Sequence, residues 1–341
     1  MLRMTLESLK TIVATNMPPQ YPAECEVLIR PSRSGICGSD IHAYYGKHPF
    51  MSFPIVLGHE FSATVESLGS QADSTSLRPG DRVTAMPQLY CGDCLPCRAG
   101  RYNICNSLKV IGCQTPGSMQ TLLAVDERLV LRLPDEVSMD EGAMLEPLSV
   151  GVHACKRVGL NGKRVLVQGA GTIGNLTAQA AKALGAKEVA VSDYNVNRLD
   201  LVSQCGATHI VNLNIECTAK ALDRLWGDER ADVIIECVGV QGTIAEAVSA
   251  ARKGTDIVIA GVFGDEISVN MGLVQDKELR IVGTLMYTKE DWLDAIRFVR
   301  DKNVTLTPLI SCHFPLSELP EAFRYIEDHS DTVVKVLIDA E

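Results

Sequence analysis

The chain has 341 residues, of which 46% are hydrophobic, and a formal net charge of −10 at pH 7. That length favours two domains over a single core. The acidic balance argues against a nucleic-acid or anionic-membrane partner, because phosphate binding needs a basic face. Twelve cysteines without a secretory signal indicate a reducing compartment, so a cytoplasmic location is expected. No apolar run approaches the roughly 20 residues of a membrane span.

The N-terminal part, to about Pro134, carries short β-rich runs punctuated by Gly and Pro, which predicts an all-β domain. Strands are expected at residues 25–30, 61–68 and 81–85. After Glu146 the pattern changes to buried strands that alternate with helical segments, which predicts a doubly wound parallel sheet. The expected strands are 164–168, 188–192, 209–212, 231–237, 255–261 and 278–283, with the first helix at 173–184. Two helices near 289–300 and 316–326 and two strands near 309–314 and 333–337 follow.

The first candidate site begins at Cys37, which lies in the segment GICGSDIH. His59 and Glu60 follow twenty-two residues later, and Glu146 offers another carboxylate where the pattern changes. Thiolate, imidazole and carboxylate are all zinc ligands, and three protein ligands leave one position open, as a catalytic site requires. Spacing alone leaves a second reading open, in which Cys37 fills a core and His59 is a hydrogen-bonded core histidine.

Four cysteines, Cys91, Cys94, Cys97 and Cys105, fall within fifteen residues in the segment CGDCLPCRAGRYNIC. Four thiolates close a tetrahedron around Zn²⁺ and leave no position for a substrate, so a structural zinc site is predicted. The bacterial ferredoxin run places its last cysteine after three residues and before a proline, whereas here seven residues intervene and Asn106 follows. An iron–sulfur cluster and unliganded core cysteines are the less favoured alternatives.

The segment GAGTIG, residues 169–174, follows a predicted strand and opens a predicted helix, which is the context of a dinucleotide-binding turn. Its candidate cofactor-binding residues are Gly169, Gly171, Thr172, Ile173 and Gly174. Asp193, nineteen residues after Gly174, ends the second predicted strand, where a carboxylate binds ribose hydroxyls and repels a 2′-phosphate. NAD is therefore favoured over NADP, although Arg198 is a candidate to accept a phosphate. The alternative is a cluster of turn glycines with Asp193 as a capping residue.

The segments GICGSDIH, GHE, the cysteine quartet, EPLSVGVHACKR and GAGTIG occur in an order that resembles the zinc-dependent medium-chain dehydrogenases over nearly the whole chain. Residues 146–157 are most similar to sorbitol and related polyol dehydrogenases. The resemblance implies an α/β plus β fold. A GroES-like β domain with the catalytic zinc is expected over residues 1–149 and 285–341, and an inserted Rossmann NAD-binding domain, a doubly wound parallel sheet, over residues 150–284.

The resemblance also implies roles for single residues. Cys37 and His59 match catalytic zinc ligands, and Glu60 and Glu146 match two carboxylates that enter or leave the metal shell in the polyol branch. Ser39 matches the hydroxyl that receives the substrate proton, and His42 matches the relay to solvent. One departure is Met286-Tyr287, where sorbitol dehydrogenases usually carry Arg-Tyr. Lys47 or His48 is a candidate replacement for an anionic substrate, although a solvated surface lysine is the more common finding.

The expected enzyme carries two zinc ions per chain, one catalytic and one structural, and NAD. It transfers a hydride from a secondary alcohol of a polyol, sugar acid or sugar phosphate to NAD, giving a ketone. The alternatives are an L-threonine 3-dehydrogenase or a simple alcohol dehydrogenase and, more distantly, a non-catalytic nucleotide-binding protein. The resemblance further implies a homodimer or homotetramer. Residues 265–271 are a candidate sheet edge for that contact, or an ordinary closing strand.

Overall fold

The structure, a computed structural model, describes residues 1–18 and 20–340. The strands are β1 (Leu2–Ser8), β2 (Thr11–Asn16), β3 (Glu26–Gly35), β4 (Glu60–Leu68), β5 (Arg82–Ala85), β6 (Gln88–Leu89), β7 (Lys109–Val110), β8 (Leu123–Asp126), β9 (Val130–Arg132), β10 (Arg164–Gln168), β11 (Glu188–Asp193), β12 (His209–Asn212), β13 (Val233–Glu236), β14 (Asp256–Ile259), β15 (Arg280–Gly283), β16 (Ile310–Pro315) and β17 (Lys335–Asp339). The α-helices are α1 (Gly38–Tyr44), α2 (Leu95–Arg98), α3 (Met139–Ala143), α4 (Leu145–Lys156), α5 (Thr172–Ala183), α6 (Val196–Gln204), α7 (Thr218–Trp226), α8 (Gln241–Ala250), α9 (Met271–Asp276), α10 (Lys289–Arg300) and α11 (Leu319–Asp328). Within the described ranges, no helix is both long enough and apolar enough to cross a membrane.

The chain forms two compact units, one of Met1–Glu146 with Leu309–Glu341 and one of Pro147–Pro308. Residues 285–308, expected in the first domain, therefore lie in the second unit. Side-chain contacts explain this, because Asp291 of α10 meets His153 of α4, with 2.7 Å between Asp291 Oδ2 and His153 Nδ1. Gln179 of α5 also donates to the Thr305 carbonyl and accepts from its N–H.

The first unit is built on a seven-stranded sheet with the path β16-β17-β3-β4-β5-β9, and β8 pairs with β3 as well. All neighbouring strands are antiparallel except β16 and β17. The central strand β3 is half-buried or buried at each of its ten positions, because it carries neighbours on both sides. Two small antiparallel sheets, β1-β2 and β6-β7, complete the strand pairing of this unit's described residues. Its core includes Leu6, Ile36, Leu57, Met119, Phe323 and Ile338.

The second unit contains a six-stranded parallel sheet in the order β12-β11-β10-β13-β14-β15. Val165, Leu166 and Val167 of β10 are fully buried, as expected for a parallel strand covered on both faces. The order reverses between β10 and β13, the point at which such sheets bind ligands. The expected α/β plus β fold is confirmed. Each of the six strands expected in this parallel sheet begins and ends within two residues of the observed strand.

Residues 265–270 differ from the expectation, because they form no strand and lead into the short helix α9. The candidate edge or closing strand at 265–271 is therefore wrong, and the edge strands of the sheet are β12 and β15. Asn270 explains the local change, because its side-chain oxygen accepts the N–H of Leu273 and starts the helix.

Candidate functional site

Cys37, His59 and Glu60 come together where β3 ends and β4 begins. Gly35 pairs with Glu60 in the β3–β4 ladder, which brings Cys37 and His59 to the same end of the two strands. One ligand atom from each of the three side chains lies within 4.8 Å of the other two. Two segments that are distant in sequence therefore present a thiol, an imidazole and a carboxylate to one point.

Two of the polar atoms at this point are buried and lack a hydrogen-bond partner in the protein. His59 is 6% exposed and Glu60 is fully buried, and neither Glu60 Oε1 nor His59 Nδ1 has a hydrogen-bond partner. Leaving such atoms unpaired costs free energy unless another group satisfies them. A zinc ion fits this donor set, because sulfur, imidazole nitrogen and carboxylate oxygen are its usual ligands.

Asp40, which the sequence analysis does not identify, orients this group. Its Oδ2 accepts the N–H of Cys37 at 2.9 Å, and its Oδ1 lies 3.7 Å from His59 Nδ1. Burial raises the pKa of the Asp40 carboxyl, and the nearby His59 opposes that shift. A carboxylate beside the second ring nitrogen leaves the other nitrogen available for a metal. The only sequence signal was the position of Asp40 inside GICGSDIH.

Lys335 is the second residue that sequence reasoning missed. It lies in β17, it is 3% exposed, and its Nζ donates to Glu60 Oε2 at 2.5 Å and to the Ile36 carbonyl at 3.1 Å. Burial alone would lower the pKa of Lys335, but the negative charges of Glu60 and Cys37 outweigh it and raise that pKa. The available signal was a lysine between apolar residues in a predicted strand.

Glu146 lies in the first turn of α4 and is 5% exposed. Its negative charge helps to raise the pKa of Lys335, so it belongs to the same electrostatic environment. Its carboxylate is not among the three ligand groups that lie within 4.8 Å of one another. The geometry therefore ranks Glu60 ahead of Glu146 as a direct ligand in this conformation.

Ser39 and His42 both lie on α1, which begins directly after Cys37. Ser39 Oγ is 3.5 Å from His59 Nε2, so this hydroxyl stands beside the candidate metal ligands. His42, one helical turn later, is exposed. Residues three apart lie on the same face of a helix. The Ser39 hydroxyl, beside the buried candidate ligands, and the exposed His42 imidazole are therefore neighbours on α1.

The four cysteines of the quartet also converge, with all their sulfur atoms within 4.8 Å of one another. Cys105 Sγ lies 3.6 Å from Cys91 Sγ and 3.8 Å from Cys94 Sγ. Backbone N–H groups point at the sulfurs, among them those of Cys91 and Ser107 at 3.4 Å from Cys105 Sγ. The N–H of Cys91 is the main reason why the pKa of Cys105 falls to about 6. Four sulfurs held this way fit a closed zinc site.

The glycine-rich turn joins β10 to α5. Gly169 has φ +92, and a side chain at Gly174 would collide with the Gly169 carbonyl oxygen. Gly171 is the N-cap of α5, and Thr172 and Ile173 are its first residues. The turn therefore presents backbone N–H groups at a helix N-terminus, which is an anion-binding arrangement.

Asp193 is held beside this turn by two backbone N–H groups. Its Oδ2 accepts from Ala170 at 2.7 Å, and its Oδ1 accepts from Asn195 at 2.8 Å. Arg198 lies two residues into α6 and donates its backbone N–H to Asn195 Oδ1 at 3.1 Å. The carboxylate is thus fixed at the C-terminal edge of the sheet, next to the candidate pyrophosphate turn.

Two family descriptions match this chain. Residues 23–135 match "Alcohol dehydrogenase GroES-like domain", and residues 172–301 match "Zinc-binding dehydrogenase". The first match contains Cys37, His59, Glu60 and the cysteine quartet, and the second contains the last three residues of the glycine-rich turn and Asp193.

Similarity to individual proteins extends over most of the chain. It is 37% identical over 318 residues to sorbitol dehydrogenase of Ovis aries, covering 91% of this chain and 88% of that protein. It is 34% identical over 310 residues to L-idonate 5-dehydrogenase of Vitis vinifera, covering 88% and 84% respectively. The solved structure of galactitol-1-phosphate dehydrogenase from Escherichia coli matches with a TM-score of 0.92 and 30% identity, over 99% of this chain and 100% of that chain.

Proposed function

The chain belongs to the zinc-dependent medium-chain dehydrogenases, in their polyol branch, and from that premise we propose its reaction. It transfers a hydride from a secondary alcohol of a polyol, sugar acid or sugar phosphate to NAD, giving a ketone. The observation that carries this proposal is the convergence of Cys37, His59 and Glu60 within 4.8 Å in a buried position.

The residues that would hold the catalytic zinc are Cys37, His59 and Glu60, with Glu146 as the alternative carboxylate. A zinc ion held there supplies Lewis acidity that makes an alcohol easier to deprotonate. Lys335 holds the Glu60 carboxylate in place, because the two side chains form a buried hydrogen-bonded ion pair. Asp40 holds His59 and the backbone of Cys37 in the orientation that the site needs.

Ser39 and His42 move the proton that the alcohol loses. The Ser39 hydroxyl, 3.5 Å from His59 Nε2, accepts that proton beside the candidate metal ligands and releases its own proton toward His42. His42 is exposed on the same helix face and passes the proton to solvent, because one imidazole nitrogen can accept a proton while the other donates one. The two residues divide the task between a buried and a solvated position.

The cofactor proposed for this reaction is NAD. The pyrophosphate is expected at the N-terminus of α5, over the turn that contains Gly169, Gly171 and Gly174. Asp193 accepts hydrogen bonds from the ribose hydroxyls, and its charge disfavours the 2′-phosphate of NADP. The quartet is proposed to hold a second zinc that stabilises its own lobe and takes no part in catalysis.

An experiment on NADH production tests the proposal. We expect zinc-loaded protein to reduce NAD with at least one of sorbitol, xylitol, L-idonate, L-galactonate or galactitol 1-phosphate, and Cys37→Ser to lose that activity. Cys25→Ser, at an exposed cysteine outside both clusters, is the matched control and keeps the activity. No reaction with any of these polyols and sugar acids, beside a clear reaction with threonine or a simple alcohol, would move the protein to the alternative substrate classes.

We further propose a homodimer or homotetramer, in which β15, one of the two edge strands of the parallel sheet, is the candidate contact. Arg280, Ile281 and Gly283 are exposed along it. An exposed strand edge is a template for pairing with a second copy. Light scattering gives the stoichiometry directly, and Ile281→Lys should shift it toward the monomer.

A further inference from the structure

The strand order of the parallel sheet reverses between β10 and β13, which are neighbours in the sheet. The strands that follow β10 in the chain lie on one side of this pair, and those that follow β13 lie on the other. Ligands of such sheets bind in the crevice outside the carboxyl ends of these two strands. The glycine-rich turn, residues 169–174, follows β10. Residues 237–239 follow β13 and form the facing wall of the same crevice.

Glu236, the last residue of β13, organises that wall. The side chain is fully buried, and its Oε1 accepts hydrogen bonds from the N–H groups of Val238 and Gly239, both at 2.8 Å. The Thr243 hydroxyl of α8 donates to the same oxygen at 2.7 Å. The Glu236 backbone carbonyl accepts from Ala260 and Gly261 beyond β14, at 2.8 and 2.9 Å. One residue thus connects three segments at the carboxyl edge of the sheet.

The segment that Glu236 fixes is closely packed against its neighbours. Gly239 has φ +82, and a side chain there would collide with the Val262 carbonyl. A Cβ at Gly261 would meet Glu236 Oε2 at 2.5 Å. This packing leaves residues 237–239 little freedom, so their position depends on the acceptor at Glu236 Oε1.

Val238 is the part of this wall that reaches the glycine-rich turn. A Cβ added at Gly169 would lie 2.7 Å from Val238 Cγ2, and the backbone N–H of Cys237 donates to the Gln168 carbonyl at 3.0 Å. Val238 is nevertheless 44% exposed, although it is apolar. An apolar side chain beside the turn and open toward the crevice is placed to pack on a bound dinucleotide.

We propose that Glu236 is a positioning residue for dinucleotide binding, which acts by holding Val238 as the crevice wall opposite the glycine-rich turn. The inference rests on the proposed use of NAD. Glu236 does not touch the cofactor, since it is fully buried. Its contribution is the Oε1 acceptor, because Oε2 has no hydrogen-bond partner.

The experiment measures NADH binding by fluorescence and steady-state kinetics in Glu236→Ala, Glu236→Gln and Val238→Ala. Glu236→Ala removes the acceptor of three donors, and we expect the Kd for NADH and the KM for NAD to rise about tenfold or more, with kcat within about twofold. Glu236→Gln keeps an oxygen acceptor and should restore Kd to within about threefold of the wild type. Val238→Ala removes only the apolar contact, and we expect Kd to rise about threefold to tenfold.

The outcomes separate this inference from the proposed function. If the wild type binds NADH but folded Glu236→Ala binds it with unchanged Kd, or Glu236→Gln is as weak as Glu236→Ala, the positioning role is overturned. If Glu236→Ala does not fold, Thr243→Val replaces it, because this variant removes one of the three donors to Glu236 Oε1. An unchanged Kd for NADH in both Thr243→Val and Val238→Ala then overturns the inference. A wild type that binds no NADH overturns the use of NAD, and the inference with it.

Discussion

Lys335 Nζ donates a hydrogen bond to Glu60 Oε2 at 2.5 Å, and both side chains are buried. The pair joins β17, near the C-terminus, to the first residue of β4. Because the lysine takes one carboxylate oxygen, the other, Oε1, is left without a hydrogen-bond partner in the protein. The ion pair therefore fixes a carboxylate at the candidate metal centre and leaves an oxygen for the metal.

Lys335→Met should destabilise the protein, because it leaves the Glu60 carboxylate buried without its cation. We expect the free energy of unfolding in metal-free protein to fall by about 3–5 kcal/mol. Urea unfolding measures this, and added zinc should recover part of the loss by supplying a cation to Glu60. The matched control is Lys10→Met, which breaks the exposed pair with Glu327 and should change the free energy of unfolding far less. Equal losses in both variants would contradict the role given to Lys335.

Cys105→Ser should remove the second zinc, because this sulfur contacts two others of the quartet and accepts two backbone N–H groups. We expect the zinc content to drop from two ions per chain to one, together with a lower midpoint of thermal unfolding. Elemental analysis after gel filtration gives the ratio. Cys217→Ser, at an exposed cysteine outside the quartet, should keep two ions. Two zinc ions retained by Cys105→Ser would argue against a metal at the quartet.

Asp193→Asn should weaken the preference for NAD. The amide keeps one oxygen, which can replace only one of the two carboxylate oxygens that accept the N–H groups of Ala170 and Asn195, and it loses the charge that repels a 2′-phosphate. We expect the ratio of kcat/KM for NAD to that for NADP to fall about tenfold or more, equivalent to ~1.4 kcal/mol. Asp200→Asn, an exposed neighbour on α6, is the charge-matched control and should leave the ratio unchanged. A ratio that moves equally in both variants would show a general charge effect.

Asp291 should give the protein a pH-dependent stability. Burial alone would raise the pKa of this carboxyl, but hydrogen bonds from His153, from the Thr288 backbone and from Lys156 outweigh it and hold the pKa well below its usual range. Because the folded pKa is depressed, the stabilisation is present above the ordinary carboxyl pKa of about 4 and is lost as the pH falls below it.

Asp291→Asn tests this dependence. We expect the wild type to exceed the variant by about 2 kcal/mol in the free energy of unfolding at pH 7, and the difference to shrink below about pH 4. Denaturant unfolding at several pH values measures both quantities. Asp301→Asn, at the exposed end of α10, should show a much smaller difference at every pH. If the difference between the wild type and Asp291→Asn stayed constant below about pH 4, the charge of the Asp291 carboxylate would not be its cause.

The sequence by itself determined the features that are encoded locally. The spacing of Cys91, Cys94, Cys97 and Cys105 predicted four converging sulfurs, because a short loop and one helical turn suffice to bring them together. The glycine-rich turn was predictable for the same reason, since a strand, a turn and a helix follow one another in the chain. The position of Asp193 was predictable because β11 runs parallel to β10, so the end of β11 and the glycine-rich turn lie at the same edge of the sheet.

Only the tertiary structure decided which distant residues meet. Lys335 lies 275 residues from Glu60 in the chain. The hydrophobic pattern of each strand predicts the strand itself but does not predict that the two side chains meet. The same holds for α10, which joins the second unit through the Asp291 and His153 pair. Glu236 looked like the end of a buried strand, and its three donors became visible only with the fold. Local spacing fixes local geometry, whereas long-range pairing depends on packing and burial summed over the whole unit, which no short segment contains.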